Sequence, residues 1–180
     1  MGRLFVTGFG PFGEFATNPS QILVDGLSGF ERAILPVSYD SADKFAEAGL
    51  PRGHDRLLMV GVHGKADKMR VERIAKNWVG PHVDVEGRSR QVGRISDFDD
   101  RLVGELFRDW RHKTTAWKAS TDAGSYLCNY LYFQATRLMP KVRTGFLHVP
   151  PFEFVDENTQ RGWLRKILDK LEKQEANNAR

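Results

Sequence analysis

The sequence predicts a three-layer α/β/α domain built around a mostly parallel, twisted sheet. The first observation is that short apolar runs bounded by turn residues alternate with segments of helical period, a pattern typical of such folds. The second is the length of 180 residues with 41% hydrophobic side chains, which suits one compact core. We therefore expect a single domain over residues 1–180.

The strands are predicted from apolar runs that turn-forming residues interrupt. They are RLFVTG at 3–8, ERAILPV at 31–37, RLLMVGV at 56–62, VERIAKN within 70–77, TAWKAS at 115–120 and VRTGFLHV at 142–149.

The helices are predicted from capping residues and from apolar side chains at three- and four-residue steps. Asn18 is suited to cap a helix that Pro19 begins, because proline fixes φ at the first helical position. The predicted helices cover 19–27, 41–49, 98–110, 125–138 and 159–175. The Gly-, Pro- and charge-rich stretch between Val79 and Phe98 predicts a long loop.

Composition excludes several classes of protein. The net charge of +4 arises from 27 basic and 23 acidic residues without a block of like charge, so we expect no nucleic-acid partner. Only Leu4, Phe5 and Val6 form an apolar run near the start, which predicts neither a signal peptide nor a membrane partner. One cysteine forms no internal disulfide and holds no metal cluster, which favours a cytoplasmic protein without metal or cofactor.

The segment Gly8-Phe9-Gly10-Pro11-Phe12-Gly13 matches the dinucleotide fingerprint G-x-G-x-x-G, but we reject that interpretation. A Rossmann turn passes directly into its helix, whereas the Asn18-Pro19 start signal delays the helix here. Phe9 and Phe12 instead lie at the carboxyl end of a strand, where open α/β sheets bind ligands. They are suited to clamp a small flat ring, or else they close one end of the core.

Cys128 is a candidate nucleophile. The sequence around it, Ser120 to Tyr130, predicts a strand end, a turn and the first turn of a helix. Unpaired N–H groups and the helix dipole favour a thiolate there, which predicts a pKa below the free value of about 8.5. The alternative is an inert core cysteine.

A cysteine nucleophile needs a base, and His148 is the candidate because it ends a predicted strand just before Pro150. Glu72 is the candidate to orient its ring, since it is a carboxylate within an otherwise apolar strand. The alternative is that Glu72 pairs with Arg73 or Lys65 on an exposed face.

Four blocks in register resemble the pyroglutamyl peptidase I (pyrrolidone carboxyl peptidase) family of cysteine peptidases. They are GFGPFG…NPS at 8–20, VERIAKN at 71–77, STDAGSYLCN at 120–129 and GFLHVP at 145–150. The resemblance implies hydrolysis of the amide bond after an N-terminal pyroglutamyl residue of peptides, through a thiol acyl-enzyme. It also implies the catalytic roles: Cys128 as nucleophile, His148 as general base and Glu72 as the group that orients it.

The same resemblance assigns the pocket for the pyrrolidone ring. It gives Phe9 and Phe12 to the ring itself, Asn18 to polar recognition, and Tyr126 and Leu127 to the wall beside the nucleophile. Pyroglutamyl peptides are accordingly the expected partners.

The chain departs from the family pattern after the ER-x-A-x-N block. Members usually carry an arginine there, whereas this chain reads Gly80-Pro81-His82-Val83, with His82 the candidate for the arginine's place. The chain is also shorter than typical members, mainly within 80–115. A homo-oligomer, either dimer or tetramer, stays open, as does a member that kept the ring pocket but lost turnover.

Overall fold

The computed structural model describes residues 3–178 and shows a six-stranded sheet in the order β2-β1-β3-β8-β4-β7. Its strands are β1 (Arg3–Phe9), β2 (Glu31–Leu35), β3 (His54–Val62), β4 (Met69–Glu72), β7 (Trp117–Ser120) and β8 (Arg143–Val149). Neighbouring strands are parallel except β4 and β8, which are antiparallel. The prediction of a mostly parallel sheet is confirmed.

Two helices cover each face of this sheet. The helices are α1 (Pro19–Asp25), α2 (Tyr39–Ala48), α3 (Leu127–Leu138) and α4 (Glu157–Asn178). Alternate residues of a strand point to opposite faces, so Phe5 and Met59 pack with α2 and α3 while Leu4 and Leu58 pack with α1 and α4. The prediction of an α/β/α architecture is confirmed.

The predicted strand over 70–77 is two strands. After β4 the chain bends at Arg73, and β5 (Ile74–Lys76) leaves the main sheet to pair antiparallel with β6 (Arg101–Val103). At the bend the Arg73 N–H still donates to Ser120 of β7 at 2.8 Å, while its carbonyl accepts from Gly104 at 3.0 Å. The continuous apolar pattern concealed a change of pairing partner.

The predicted helix over 98–110 is wrong. This stretch holds β6 and a single 3₁₀ turn, Glu105–Phe107. Gly104 between them is extended and packs so closely that an added Cβ would lie 1.7 Å from the Tyr132 hydroxyl. Pairing with β5 and this close approach outweigh the four-residue spacing of Phe98, Leu102 and Leu106. The other predicted elements lie within three residues of their predicted limits.

The predicted long loop between 79 and 98 contains no helix or strand of the described chain. The buried side chain of Asn77 joins its two ends. Its Nδ2 donates to the carbonyls of Ser96 at 2.8 Å and Phe98 at 3.0 Å, and its Oδ1 accepts from the N–H of Ile95 at 2.8 Å. One amide therefore fixes the span of the loop.

Candidate active site

His148 and Glu72 form a buried hydrogen-bonded pair. His148 lies near the end of β8, Glu72 ends β4, and His148 Nδ1 is 2.9 Å from Glu72 Oε1. The side chains are 3% and 0% exposed. A carboxylate only accepts, so Nδ1 carries the ring proton and Nε2 keeps a lone pair that can receive one. The pair has the geometry predicted for a base and its orienting group, and the exposed pairing of Glu72 with Arg73 or Lys65 is wrong.

Cys128 lies in the first turn of α3, as predicted. Its Sγ packs against the bare backbone of Gly61 in β3, where an added Cβ would lie 2.8 Å from the sulfur. Gly61 is in turn the register partner of His148 on the adjacent strand. Within residues 3–178 no hydrogen bond joins the thiol to the imidazole, although both adjoin Gly61. Catalytic hydrogen bonds are commonly longer before substrate binds than during reaction.

Burial raises the pKa of the Cys128 thiol to about 12, and the negative charge of Glu72 acts in the same direction. The thiol's own backbone N–H lowers the pKa by less. The expectation that the helix N-terminus depresses this pKa is therefore wrong, because desolvation of the thiolate outweighs the dipole. Cys128 is a neutral thiol at neutral pH and must lose its proton to a base in order to react.

Asn129, the residue after the candidate nucleophile, fastens α3 to β5. Its buried Oδ1 accepts from the Lys76 N–H at 2.9 Å, and its Nδ2 donates to the carbonyls of Lys76 at 2.8 Å and Trp78 at 2.9 Å. Three hydrogen bonds from one side chain therefore fix the position of the start of α3 relative to residues 76–78.

A small cavity opens beside the thiol. Its lining consists of Phe9, Phe12, Asn18, Val37, Val62, Tyr126, Leu127 and Cys128. All five residues predicted for the ring pocket line it. Sequence reasoning missed Val37 and Val62, although both lie at the carboxyl ends of parallel strands, where ligands of such sheets bind.

Asn18 has a structural role in this cavity. It caps α1 through Oδ1, which accepts from the Ser20 N–H at 2.9 Å, and its Nδ2 donates to the Gly10 carbonyl at 2.9 Å. The side chain is fully buried. An amide nitrogen has two N–H groups, and within the described chain that of Asn18 has this one partner. The other N–H of this amide has no partner among the described residues, and Asn18 is one of the residues that line the cavity.

His82 packs against Tyr126, one of the residues that line the cavity. Its Nε2 is 3.2 Å from the Ser125 hydroxyl, and its ring centroid is 5.2 Å from that of Tyr126. The Tyr126 hydroxyl donates to the Val83 carbonyl at 2.9 Å. The segment that departs from the family pattern thus packs against the start of α3.

Arg70 and His63 complete the polar side of the site, and sequence reasoning missed both. Arg70 Nε donates to Glu72 Oε1 at 3.2 Å, and Arg70 Nη1 is 3.0 Å from His63 Nε2. The His63 ring meets the His148 ring edge-on at 5.4 Å. An alternating strand places Arg70 and Glu72 on one face, so their two-residue spacing was the available signal.

Neither a metal site nor a membrane span is found among residues 3–178. No group of three or more His, Cys, Asp or Glu side chains in this part of the chain is arranged to hold a metal ion. No helix of the same residues has the length and apolar character needed to cross a bilayer.

A cysteine at the start of a helix, next to a histidine–carboxylate pair on an α/β/α fold, defines the class of cysteine hydrolases. A family model described as pyroglutamyl peptidase matches residues 2–162. The chain belongs to the pyroglutamyl peptidase family, and the predicted resemblance is confirmed.

Individual relatives agree with this membership. The chain is 30% identical to pyroglutamyl-peptidase 1 of Rattus norvegicus, over 92% of this chain and 88% of the relative. It is 28% identical to the pyrrolidone-carboxylate peptidase of Lactobacillus helveticus, over 82% and 83%. The crystal structure of pyrrolidone carboxyl peptidase from Thermus thermophilus superposes with a TM-score of 0.79 at 30% identity, covering 92% of this chain and 98% of that one.

Proposed function

We propose that the protein hydrolyses the amide bond after an N-terminal pyroglutamyl residue of peptides, with Cys128 as nucleophile, His148 as base and Glu72 as its orienting group. The observation that carries this proposal is that the Cys128 thiol borders an apolar cavity and also adjoins Gly61, the strand partner of His148. Substrate recognition and proton transfer thus meet at one sulfur atom.

The cavity suits a flat uncharged lactam. Phe9 and Phe12 supply aromatic surface, and among residues 3–178 no acidic side chain of the kind that would hold the ammonium of an ordinary N-terminus lines the cavity. The second N–H of Asn18 is placed to donate to the lactam carbonyl. Pairing a buried donor with the ring amide discriminates against side chains that lack that acceptor.

Proton transfer follows from the hydrogen bonds of His148. Nε2 takes the thiol proton as Cys128 Sγ bonds to the peptide carbonyl carbon, and the imidazolium then gives that proton to the departing amine as the C–N bond breaks. His148 next takes a proton from water, which attacks the thioester, and returns it to the thiolate as pyroglutamate leaves. Glu72 stabilises the transient imidazolium and stays ionised.

The start of α3 supplies donors for the oxyanion. The first helical hydrogen bond runs from the Tyr130 N–H to the Tyr126 carbonyl at 2.9 Å, so the N–H groups of 127–129 precede the helical ladder. One such donor is worth roughly 3–4 kcal/mol at a developing oxyanion. The N–H groups of Leu127 and Cys128 are those nearest the thiol.

The test is hydrolysis of a pyroglutamyl-fluorophore by the wild type and by Cys128→Ser, with the prolyl analogue as a control for the ring carbonyl. We expect turnover of the pyroglutamyl substrate alone and its loss in the variant. Equal rates in both proteins would contradict the mechanism. Pyroglutamate binding without hydrolysis by the wild type would instead identify a member that lost turnover.

We keep three further expectations within this proposal. Peptides are the partners, with no nucleic acid or membrane involved, and the small net charge of +4 supports this. The location is cytoplasmic, which the lone thiol supports. A homo-oligomer, dimer or tetramer, stays a prediction that light scattering tests.

A further inference from the structure

We propose that Arg70 is a positioning residue for this reaction, fixing Glu72 toward His148, and that neutral His63 holds Arg70 in place. The inference rests on the proposed function, because it concerns the same histidine–carboxylate pair. None of the motifs that indicated the family includes Arg70 or His63 in such a role.

Arg70 uses all of its guanidinium nitrogens within the site. Nε donates to Glu72 Oε1 at 3.2 Å, and Nη2 donates to the Ser120 hydroxyl at 2.8 Å and the Asp122 carbonyl at 3.2 Å. Nη1 faces His63 Nε2 at 3.0 Å. Hydrogen bonds on three sides hold the planar guanidinium in one orientation. Through its bond to Glu72, the guanidinium in turn restricts the orientation of the carboxylate.

Glu72 needs such a partner. Its side chain is 0% exposed, and within the described residues its Oε2 has no hydrogen-bond partner. Oε1 accepts from both His148 and Arg70. A carboxylate with only one hydrogen-bonded oxygen can rotate about its Cγ–Cδ bond, and the hydrogen bond from Arg70 opposes that rotation. The positive charge of Arg70 also offsets the buried negative charge of Glu72.

His63 is suited to accept from Arg70. Arginine only donates, so the 3.0 Å contact places the lone pair on Nε2 and the proton on Nδ1. The Lys65 N–H donates to Nδ1 at 3.3 Å and competes for the single lone pair of a neutral ring, and the shorter contact with the charged Arg70 favours Nε2 as the acceptor. Desolvation, then the charges of His148 and Arg70, lower the pKa of His63, which agrees with a neutral ring. A neutral ring also adds no repulsion when His148 becomes imidazolium.

Arg70→Ala tests the proposal, with Ser120→Ala and Lys118→Ala as matched controls. Ser120→Ala removes another Arg70 contact without touching Glu72, and Lys118 is the register partner of Arg70 on β7, paired with Asp67 at the surface. Loss of a hydrogen bond to a charged group should lower kcat of Arg70→Ala about ten- to hundredfold with KM unchanged. Lys118→Ala should keep wild-type kcat, and Ser120→Ala, which removes only one of the contacts that hold the guanidinium, should lose less kcat than Arg70→Ala.

Chemical rescue separates positioning from general damage. Arg70 is one-fifth exposed, so guanidinium ion can enter the space left in Arg70→Ala and restore part of kcat. It should not restore Glu72→Ala. For the second contact, His63→Gln keeps an acceptor and should retain more activity than His63→Leu. A Ser120→Ala loss equal to that of Arg70→Ala, or no rescue, would overturn the proposal.

A readout independent of turnover is the downfield proton signal of His148 Nδ1–H in ¹H NMR of ¹⁵N-histidine-labelled protein, assigned with His148→Asn. We expect this signal in the wild type and in Ser120→Ala, and its broadening or loss in Arg70→Ala. An unchanged signal in Arg70→Ala overturns the positioning role. A wild type that shows the signal but no hydrolysis refutes the proposed function alone, and the NMR comparison still decides the role of Arg70.

Discussion

The two sides of the site are held by different forces. The polar side, made of His63, Arg70, Glu72 and His148, is fixed by hydrogen bonds among side chains of β4, of β8 and of the residue that follows β3. The apolar side around Phe12 is formed by loop residues together with the ends of β1 and β3 and the start of α3, and it is fixed by packing and by the cap of α1. Directional bonds suit proton transfer, whereas a packed surface suits recognition of ring shape. Damage to the polar side should therefore lower kcat, and damage to the apolar side should raise KM.

The largest effect should come from Glu72→Gln. The glutamine amide can donate to His148 Nδ1, which moves the ring proton to Nε2 and removes the lone pair that accepts the thiol proton. We expect kcat to fall about 10³–10⁴-fold with little change in KM, measured with the pyroglutamyl-fluorophore.

The control for this change is Glu105→Gln, which removes a carboxylate whose ion pair with Arg108 lies at the surface. It should leave both constants unchanged. A larger change in KM than in kcat for Glu72→Gln would contradict the assignment of proton transfer to the polar side and of ring recognition to the apolar side.

The next effect concerns the charge state of Cys128. Burial raises the pKa of Cys128 to about 12, far above the pH of the assay. The thiolate fraction, and hence the rate of alkylation by iodoacetamide, should therefore rise about tenfold per pH unit. Between pH 7 and pH 9 we expect about a hundredfold increase. A rate that levels off below pH 8 would show a preformed thiolate.

Gly61→Ala should disturb the point where both sides of the site meet. The new Cβ would lie 2.8 Å from Cys128 Sγ and 2.9 Å from Phe146 Cζ, so the thiol or the ring must shift. Overpacking of about 1–3 kcal/mol, if expressed in the transition state, corresponds to about a 5- to 160-fold loss in kcat/KM. Gly64→Ala is the matched control because, apart from its two chain neighbours, no described residue has an atom within 4 Å of its added Cβ. Equal activity of the two variants would contradict this geometry.

The smallest effect should come from Asn18→Ala on the apolar side. Loss of the cap should lower the free energy of unfolding by about 1 kcal/mol in denaturant titrations. Loss of the donor should raise KM about tenfold with kcat retained. Ser38→Ala removes the cap of α2 and serves as control, because it should match the loss of stability without the change in KM. A matching KM in both variants would limit Asn18 to capping.

The sequence predicted those parts of the molecule that local patterns encode. Cys128 begins a helix and His148 lies near the end of a strand, and the parallel pair of β3 and β8 brings such positions together, whereas Glu72 reaches His148 across the antiparallel pair of β4 and β8. The ring pocket followed from the same rule together with the family resemblance. All five residues assigned to the ring pocket line the same cavity as Cys128.

The remainder depended on contacts between distant segments. Arg70 meets His63 only because β4 runs antiparallel to β8 and returns the chain to the end of β3. The 98–110 segment has helical spacing, and only its pairing with β5 makes part of it a strand. The pKa of Cys128 was predicted wrongly because it depends on how deeply the sulfur is buried against Gly61. That burial is a result of packing between distant segments, which no local pattern encodes.

The two asparagines beside β5 bear on how this chain can tolerate a change of length. Asn129 ties the nucleophile's helix to residues 76–78, and Asn77 ties the beginning of the long loop to its end. Insertions or deletions between the two ends of the loop change the path of the loop. The hydrogen bonds of Asn77 and Asn129 still fix the position of Cys128. The course of this loop can therefore change in evolution or by design without moving the helix that carries Cys128.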